Sequence, residues 1–492
     1  MSEVHMKKIF EKKYMQCIAV IPLVIAVYIL WSLLCTRSTN TPIKLIMAVA
    51  SSYAAVSVIN CSTEKQLSCD KAIKTVILAG IVMRIGYMLY TPCNVRSHDL
   101  YEFSSKGAGH AAYLLWLIEN SSLPQSNDAQ FYQQPFFYMV GSVFSRLINA
   151  VLPRSDVYLL VDAAKTVSCA ASCMVLIIAE SLCDIFMLKD REKLAAMLIA
   201  AFQPCFLLSI RITPDILCTF FMTLALLFTF KWYESPDWKN TIILALAYGF
   251  GVMTKISVGV PALFTAAVFA VKLVSHIKEK KAAPLFAKLA VFGIISLPLG
   301  LWYSIRNFIL FEQKPWYVLK IAEGENSAIY VGDRSLLERF VIPDFKSIFT
   351  SPYIDIDEEY NYFVYSVKNS LFGEFSFDVP KFIPTVLFIL ALILSIAAIA
   401  AAVSPIIRYK EDKKTAVLSA VCIMFIGSIA AFWINYPHIC SIDFRYSTFL
   451  IIPFAILLAK LSSSFKNVRL GNALYICTLI YSFSSCLMYI MI

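Results

Sequence analysis

Fourteen apolar segments, each close to the length of a membrane-spanning helix, follow one another along almost the whole of this 492-residue chain. A helix needs about 20 apolar residues to cross the hydrocarbon core of a bilayer. The chain is 59% hydrophobic and 15% charged, whereas soluble domains carry about 25% charged residues. These features exclude a soluble fold and predict an all-α polytopic membrane protein with about 13–14 transmembrane helices. The segments are 15–35, 42–60, 72–90, 135–152, 157–187, 192–210, 214–232, 240–256, 258–275, 287–308, 381–407, 415–434, 446–463 and 469–491.

Basic residues are concentrated in short segments beside the predicted spans. Four lysines lie within residues 7–13, and the segments 278–281 and 408–414 are also basic. Short cytoplasmic loops of membrane proteins carry an excess of Lys and Arg. We therefore expect a cytoplasmic N-terminus. The net charge of +10 is then a signal of topology, and nucleic acid is not an expected partner.

Two loops are long, and this orientation places both of them, 91–134 and 309–380, on the outer side. The second loop contains twelve acidic and six basic residues, as expected outside the membrane. The orientation requires an odd number of crossings between residues 134 and 276, yet six candidate segments lie there. We expect one segment within 135–187 to be re-entrant, to lie along the surface or to merge with its neighbour, because this stretch contains several charged residues.

Polar residues follow the third predicted span directly, at the start of the first outer loop. His98, Asp99 and Glu102 lie within twelve residues of its end. A carboxylate at the membrane–water boundary can act as a general base toward a hydroxyl that arrives from outside. The alternative for a single loop aspartate is an ordinary solvated side chain.

Four further polar sites interrupt apolar segments or lie at their ends. Ionisable residues in such places are costly and are candidates for function. Snorkelling to the interface is the alternative for the cations, and an ion pair is the alternative for the last site. Three cations can hold a lipid-linked phosphate, where charge-assisted hydrogen bonds are strong, while the acids serve the acceptor or a metal. The sites are Asp215, Lys255, Arg306-Asn307 and Asp443-Phe444-Arg445.

The order of these segments resembles that of the membrane-embedded GT-C glycosyltransferases, in the branch of protein O-mannosyltransferases and aminoarabinose transferases. Relatives carry a His-Pro-Pro-like signature where this chain has Gln134-Pro135-Phe136. The likeness begins near residue 72, so that 1–70 form two additional N-terminal transmembrane helices and 71–492 a GT-C-like catalytic body. The segments that carry the likeness are 96–99, 109–113, 123–124, 132–135, 204–215, 254–255, 302–307, 371–374 and 443–446.

The resemblance implies a hexosyltransferase of the plasma membrane that works on the outer face. It implies a polyprenyl-phosphate sugar as donor, a glycan, lipid or protein as acceptor, and inversion with Asp99 as the general base. Lys255, Arg306 and Arg445 are then expected at the phosphate and Asp215 at the acceptor or sugar. No cofactor is certain, and a divalent metal stays open because relatives differ in its use. The remaining expected substrate-binding residues are His98, Glu102, His110, Gln134, Asn307 and Asp443.

Two other functions fit a chain of this composition. One is a transporter or flippase of a lipid-linked glycan, and the other is a non-catalytic binder of the lipid carrier. A transporter would spread polar residues along a central path, whereas here they cluster near the outer side, which favours the enzyme. The sequence has no Walker loop, so ATP-driven transport lacks support.

Overall fold

The fold is helical throughout the part of the chain that the structure, a computed structural model, describes. The described residues are 3–34, 40–63, 68–101, 109–152, 156–280, 282–315, 317, 329–355, 358–407 and 412–492, with backbone alone for 3–12, 63, 205, 347 and 349. Within them, an isolated antiparallel bridge between Tyr330 and His438 is the one extended pairing. The predicted all-α class is confirmed.

Nineteen α-helices lie within the described residues. They are α1 (Glu3–Leu34), α2 (Thr41–Thr63), α3 (Cys69–Tyr90), α4 (His110–Asn120), α5 (Phe136–Val151), α6 (Val157–Ala163), α7 (Lys165–Ile185), α8 (Asp190–Phe202), α9 (Asp215–Glu234), α10 (Trp238–Thr254), α11 (Gly259–Lys278), α12 (Ala282–Phe311), α13 (Leu336–Phe340), α14 (Phe345–Thr350), α15 (Tyr362–Phe372), α16 (Phe382–Ile407), α17 (Lys413–Asn435), α18 (Ile451–Ser464) and α19 (Val468–Met491).

Every apolar segment of the sequence folds as a helix, but the helices differ in length. Among the described residues, ten helical stretches are long and apolar enough to cross a membrane, and two apolar helices, Phe136–Val151 and Thr448–Ser464, are shorter. The segment 192–210 yields α8, whose 13 residues extend about 20 Å and do not match a hydrocarbon core of about 30 Å. Helices α6 and α7 form one apolar run, Val157–Ile185, with a turn at its Ala164. The number of complete crossings between 135 and 275 stays a prediction.

The chain divides into two compact units. The first unit comprises Met1–Thr36, Thr91–Ser181 and Leu208–Leu319, and the second comprises Arg37–Tyr90, Leu182–Leu207 and Lys320–Ile492. The division of the sequence into 1–70 and 71–492 concerns the extent of a family likeness, and it stays a prediction.

In the first unit, α4, α5, α6 and α9 surround a common apolar core. Its members include Leu100 from the outer loop, Tyr113 from α4, Tyr138 from α5 and Ile216 from α9, each at most 5% exposed. Burial of large side chains contributes about 1.5–3 kcal/mol each relative to water. Through Leu100, this core therefore anchors the first outer loop to α4, α5, α6 and α9.

In the second unit, α3 packs against α2 and α8. The buried guanidinium of Arg84 on α3 donates hydrogen bonds to the carbonyl oxygens of Ala200 and Ala201, at 3.0 and 2.6 Å. These carbonyls lie in the last turn of α8, where no intrahelical donor is available and the helix dipole is negative. The Arg84 side chain on α3 therefore supplies the hydrogen-bond donors that the C-terminal carbonyl groups of α8 lack.

Candidate active site

Asp99 lies in a strained turn at the start of the first outer loop. Its φ is 54°, and Arg96 three residues earlier has a φ of 56°. Few non-glycine residues adopt positive φ, although Asp is enriched among them. Such conformations cost about 1–3 kcal/mol and persist where the surroundings fix them, often at functional sites. The half-buried Asp99 side chain is therefore held in a conformation that the surrounding structure imposes.

The surroundings that fix Asp99 are the first residues of α4. The backbone N–H of His110 donates to the carbonyl oxygen of Asp99 at 2.8 Å, and that of Ala111 donates to Leu100 at 2.7 Å. The first N–H groups of a helix have no partner within the helix. The backbone of 99–101 supplies those acceptors, and Gly109 allows the close approach because it has no Cβ.

A chain of hydrogen-bonded aromatic side chains extends from His110 into the first unit. His110 Nδ1 lies 2.6 Å from the hydroxyl of Tyr138, whose ring stacks on Tyr113 at 4.2 Å. The Tyr113 hydroxyl lies 2.9 Å from that of Tyr303, which donates to the carbonyl oxygen of Phe131 at 3.0 Å. Burial, together with the neighbouring Tyr303, raises the pKa of Tyr113 well above its usual range, so its hydroxyl stays protonated.

Tyr138 relates the two candidate carboxylates to each other. It lies within electrostatic range of both Asp99 and Asp215. The sequence motifs that contain these acids are more than a hundred residues apart, and the fold brings both toward one tyrosine. Of these residues, His110 contacts Tyr138 directly, whereas the two acids act on it through longer-range electrostatics.

Asp215 and Lys255 form an ion pair. Asp215 is the first residue of α9, where the positive end of the helix dipole favours a carboxylate. It is 3% exposed and accepts a hydrogen bond from Nζ of Lys255, which follows the end of α10. Lys255 therefore has a buried carboxylate as an ion-pair partner, and its position relative to the membrane surface stays a prediction.

Arg306 and Asn307 are neighbours on α12 and contact the first outer loop. Arg306 donates to the carbonyl oxygen of Pro124 at 2.7 Å and to Oδ1 of Asn307 at 2.9 Å. One turn earlier, Ser304 accepts a hydrogen bond from Nε2 of Gln134 at 2.9 Å. Among the described residues, neither Oε1 of Gln134 nor Nδ2 of Asn307 has a hydrogen-bond partner, although both are buried. Buried polar atoms of this kind are costly, and both could bond to a polar ligand.

The other predicted residues have separate positions. His98 is half-buried in the same turn as Asp99, and Glu102 lies outside the described residues. Asp443 and Arg445 belong to the second unit and pair with each other: Asp443 accepts from the backbone N–H of Arg445 at 2.9 Å, and their side chains lie 3.5 Å apart. The ion-pair alternative describes this contact. A shared phosphate site of Arg445 with Lys255 and Arg306 stays a prediction.

Two groups of residues near Asp99 were not predicted as part of the site. Tyr113 and Tyr138 fit an apolar stripe and an interfacial aromatic cluster equally well in the sequence, because no pattern shows what their hydroxyls contact. In the sequence, the charges of Asp162 and Lys165 indicated only that one segment within 135–187 is not a simple membrane crossing. Three-residue spacing of opposite charges within an apolar segment is a usable signal of a buried pair. Among the described residues, no three His, Cys, Asp or Glu side chains form a group that could hold a metal.

Comparison with known proteins shows which protein family part of the chain resembles. No curated protein matches the chain. Residues 162–302 match the family model for dolichyl-phosphate-mannose-protein mannosyltransferase. The matched segment contains Asp215 and Lys255, and Asp99 precedes it. Over these residues the chain has the sequence pattern of that mannosyltransferase family, which confirms the resemblance and indicates an integral membrane glycosyltransferase of the mannosyltransferase type.

Proposed function

We propose that the protein transfers a mannose-type sugar from a polyprenyl-phosphate donor to an acceptor hydroxyl at the outer face of the plasma membrane, with inversion at the anomeric carbon. The observation that carries the proposal is the fixed turn of Asp99, whose carbonyl oxygen accepts a hydrogen bond from the N–H of His110 at the start of α4. A glycan, lipid or protein supplies the hydroxyl.

The reaction divides between the acids and the cations. Asp99 accepts the proton of the acceptor hydroxyl as its oxygen attacks the anomeric carbon from the side opposite the phosphate. The bond between that carbon and the phosphate oxygen breaks, and the polyprenyl phosphate leaves with the bonding electron pair. A positioned base of this kind contributes about 10²–10⁴-fold to the rate.

Lys255 and Arg306 balance the negative charge that develops on the leaving phosphate. Preorganised donors are effective for this purpose because they need no reorganisation when charge develops. Asp215 forms an ion pair with Lys255 in its partly buried position and orients the sugar or the acceptor. Oε1 of Gln134 and Nδ2 of Asn307 then accept from and donate to hydroxyl groups of the bound sugar.

Replacement of Asp99 by asparagine tests the assignment of the base. The purified Asp99→Asn protein is incubated with labelled polyprenyl-phosphate mannose and candidate acceptors, and both transfer and donor binding are measured. Transfer is expected to fall by at least about 10²-fold while donor binding is retained, because the amide keeps the shape but not the basicity.

Asp128→Asn is the matched control. Asp128 is an exposed acid of the same outer loop whose carboxylate bonds to Ser126 at 2.7 Å. This variant is expected to transfer sugar at the wild-type rate. Full activity of Asp99→Asn would overturn the role of Asp99 as the base, and absence of any transfer from mannosyl donors by the wild-type protein would overturn the donor class.

A further inference from the structure

A buried ion pair lies beside the loop that carries Asp99. Asp162 is the penultimate residue of α6 and Lys165 is the first residue of α7, and their side chains meet at 3.0 Å. The two residues are only 7% and 2% exposed. The hydroxyl of Tyr28 donates to the same carboxylate at 2.9 Å.

Both charges also bind the backbone at the start of the outer loop. Asp162 Oδ1 accepts from the N–H of Cys93 at 2.9 Å, and Lys165 Nζ donates to the carbonyl oxygen of Thr91 at 3.0 Å. One turn earlier on α6, the Tyr158 hydroxyl donates to Oδ1 of Asn94 at 2.9 Å. Residues 91, 93 and 94 of the loop are therefore all held by side chains from residues 158–165.

The other side of Asp99 is held by α4, through the hydrogen bonds of His110 and Ala111 to the backbone of 99 and 100. Only residues 95–98 separate the two sets of bonds, and Arg96 within them has a positive φ. A segment this short, fixed at both ends, has few conformations. The position of the Asp99 carboxylate thus depends on both anchors.

We propose that Asp162 and Lys165 are positioning residues for the catalytic turn, which they hold in the geometry that Asp99 needs. Replacing a buried ion pair with apolar side chains is often neutral or stabilising, so stability alone does not explain a charged pair here. Its bonds to Cys93 and Thr91 explain it. The proposal rests on the role of Asp99 proposed above.

Hydrogen–deuterium exchange of the full-length protein in detergent tests the anchor without any activity. The variant is Asp162→Asn with Lys165→Met, which removes the pair without leaving one buried charge unpaired. Exchange of the backbone amides of 91–101 is expected to become at least about tenfold faster, because local opening then needs less free energy.

The matched control is Glu180→Gln with Lys13→Met. Glu180 lies on the same helix α7, fifteen residues beyond Lys165, and forms another buried pair with Lys13 at 3.2 Å. Exchange of 91–101 is expected to stay at the wild-type value. Unchanged exchange in the Asp162/Lys165 variant, or an equal increase in both variants, would overturn the anchor.

Kinetics then separate positioning from a general structural role. The double variant is expected to lower kcat by about 10-fold to 10²-fold with little change in the donor KM, since small misplacements of a reacting group are costly. Lys165→Arg keeps a charged donor and is expected to recover most of kcat. An equal loss in Lys165→Arg, or a loss confined to KM, would contradict positioning. If exchange increases as expected while Asp99→Asn is fully active, the anchor stands and the base assignment falls.

A separate observation concerns the hairpin of α2 and α3 in the second unit. Sγ of Cys61 lies 2.7 Å from Sγ of Cys69, and both residues are partly exposed. We infer that these two cysteines form a reversible disulfide. A low-molecular-weight disulfide is the oxidant: one thiolate attacks it and releases a thiol, and the second thiolate attacks the mixed disulfide and releases another. The predicted topology places the cytoplasmic ends of α2 and α3, where the two cysteines lie, on the side of the membrane on which such bonds are usually redox-sensing rather than permanent.

Trypsin makes this inference directly testable, because Lys65 lies between the two cysteines. After treatment of the purified protein with oxidised glutathione, mass spectrometry is expected to find the peptides of Cys61 and Cys69 joined, and reductant is expected to separate them. Cys61→Ser should abolish the joined species, whereas Cys477→Ser, at another partly exposed cysteine, should not. Recovery of the two peptides only as separate species after oxidation would overturn the inference.

Discussion

Replacement of Gly109 by alanine is expected to slow sugar transfer by about 10²-fold while donor binding changes little. Gly109 precedes α4 and lies against the backbone of the catalytic turn. An added Cβ would stand 2.5 Å from the carbonyl oxygen of Asp99 and closer still to that of Leu100. Both neighbours are backbone atoms, so no side chain can rotate away to make room.

The magnitude follows from the displacement that this contact requires. Ordinary contacts of a Cβ begin at 3.4 Å, so the turn must move by about 1 Å to accept the methyl group. Displacements of about 1 Å at a reacting group can cost about 10²-fold in rate, which corresponds to about 2.7 kcal/mol of activation free energy. Overpacking of this kind also lowers the free energy of unfolding by about 1–3 kcal/mol.

The assay is transfer from labelled polyprenyl-phosphate mannose, with kcat and the donor KM determined separately and thermal unfolding followed in the same detergent. Gly259→Ala is the matched control, because a Cβ at Gly259 in the same unit would meet no atom within 4 Å. A wild-type kcat for Gly109→Ala would refute the reasoning, and so would an equal loss in Gly259→Ala.

Three further predictions concern other parts of the molecule. Lys255→Met deprives the buried Asp215 carboxylate of its cation and is expected to destabilise the protein by about 3–5 kcal/mol in thermal unfolding. The double variant Asp215→Asn with Lys255→Met should restore most of the stability but still raise the donor KM. Equal stability of the single and double variants would contradict this prediction. Burial opposes the charge of Asp412, but the ion pair with Lys460 and hydrogen bonds from Thr415 outweigh burial and lower the pKa of Asp412 from 3.8 to about 2. Because the folded pKa is the lower one, this contribution to stability is present above pH 3.8 and lost as the pH falls toward 2; the stability difference between wild type and Lys460→Met should shrink over that interval, and a constant difference would refute it. Ser122→Cys, at an exposed position of the first outer loop, should react with an impermeant maleimide from the outer side and Glu279→Cys from the cytoplasmic side, and the reverse pattern would overturn the predicted orientation.

The sequence predicted the helices well because each depends on a local pattern. An apolar segment of about 20 residues has few folds open to it in a bilayer other than a helix, since each backbone polar group must be satisfied within the segment. The exceptions follow from local lengths. In the segment 192–210, Gln203 and Pro204 directly follow Phe202, and α8 stops there after 13 residues because the residue before a proline is disfavoured in a helix.

The candidate site was predicted in part, and the missing part has one physical cause. Asp99, Asp215 and Lys255 are visible in the sequence because charge beside an apolar segment is costly. The ion pair of Asp215 with Lys255 joins residues 40 positions apart, and no periodicity in the sequence relates them. The same holds for the contact of Gln134 with Ser304, which joins α12 to the loop across 170 positions.

The arrangement around Asp99 shows why its support is hidden in the sequence. A loop residue is mobile unless its backbone is bound, and here the bonds run from main-chain groups of 91, 93, 99 and 100 to α4, α6 and α7. Main-chain hydrogen-bonding groups occur at almost every position, so these bonds do not require particular side chains in the turn. The residue types of the turn therefore do not reveal them. The residues that make these bonds possible lie outside the turn: they are the buried, charged Asp162 and Lys165, and Gly109, which has no Cβ. If both anchors act on the same turn, combining Gly109→Ala with the Asp162/Lys165 variant should lower kcat by less than the product of the separate losses, because a turn that one change has already displaced has less geometry left to lose. Losses that multiply would show instead that the two anchors act independently.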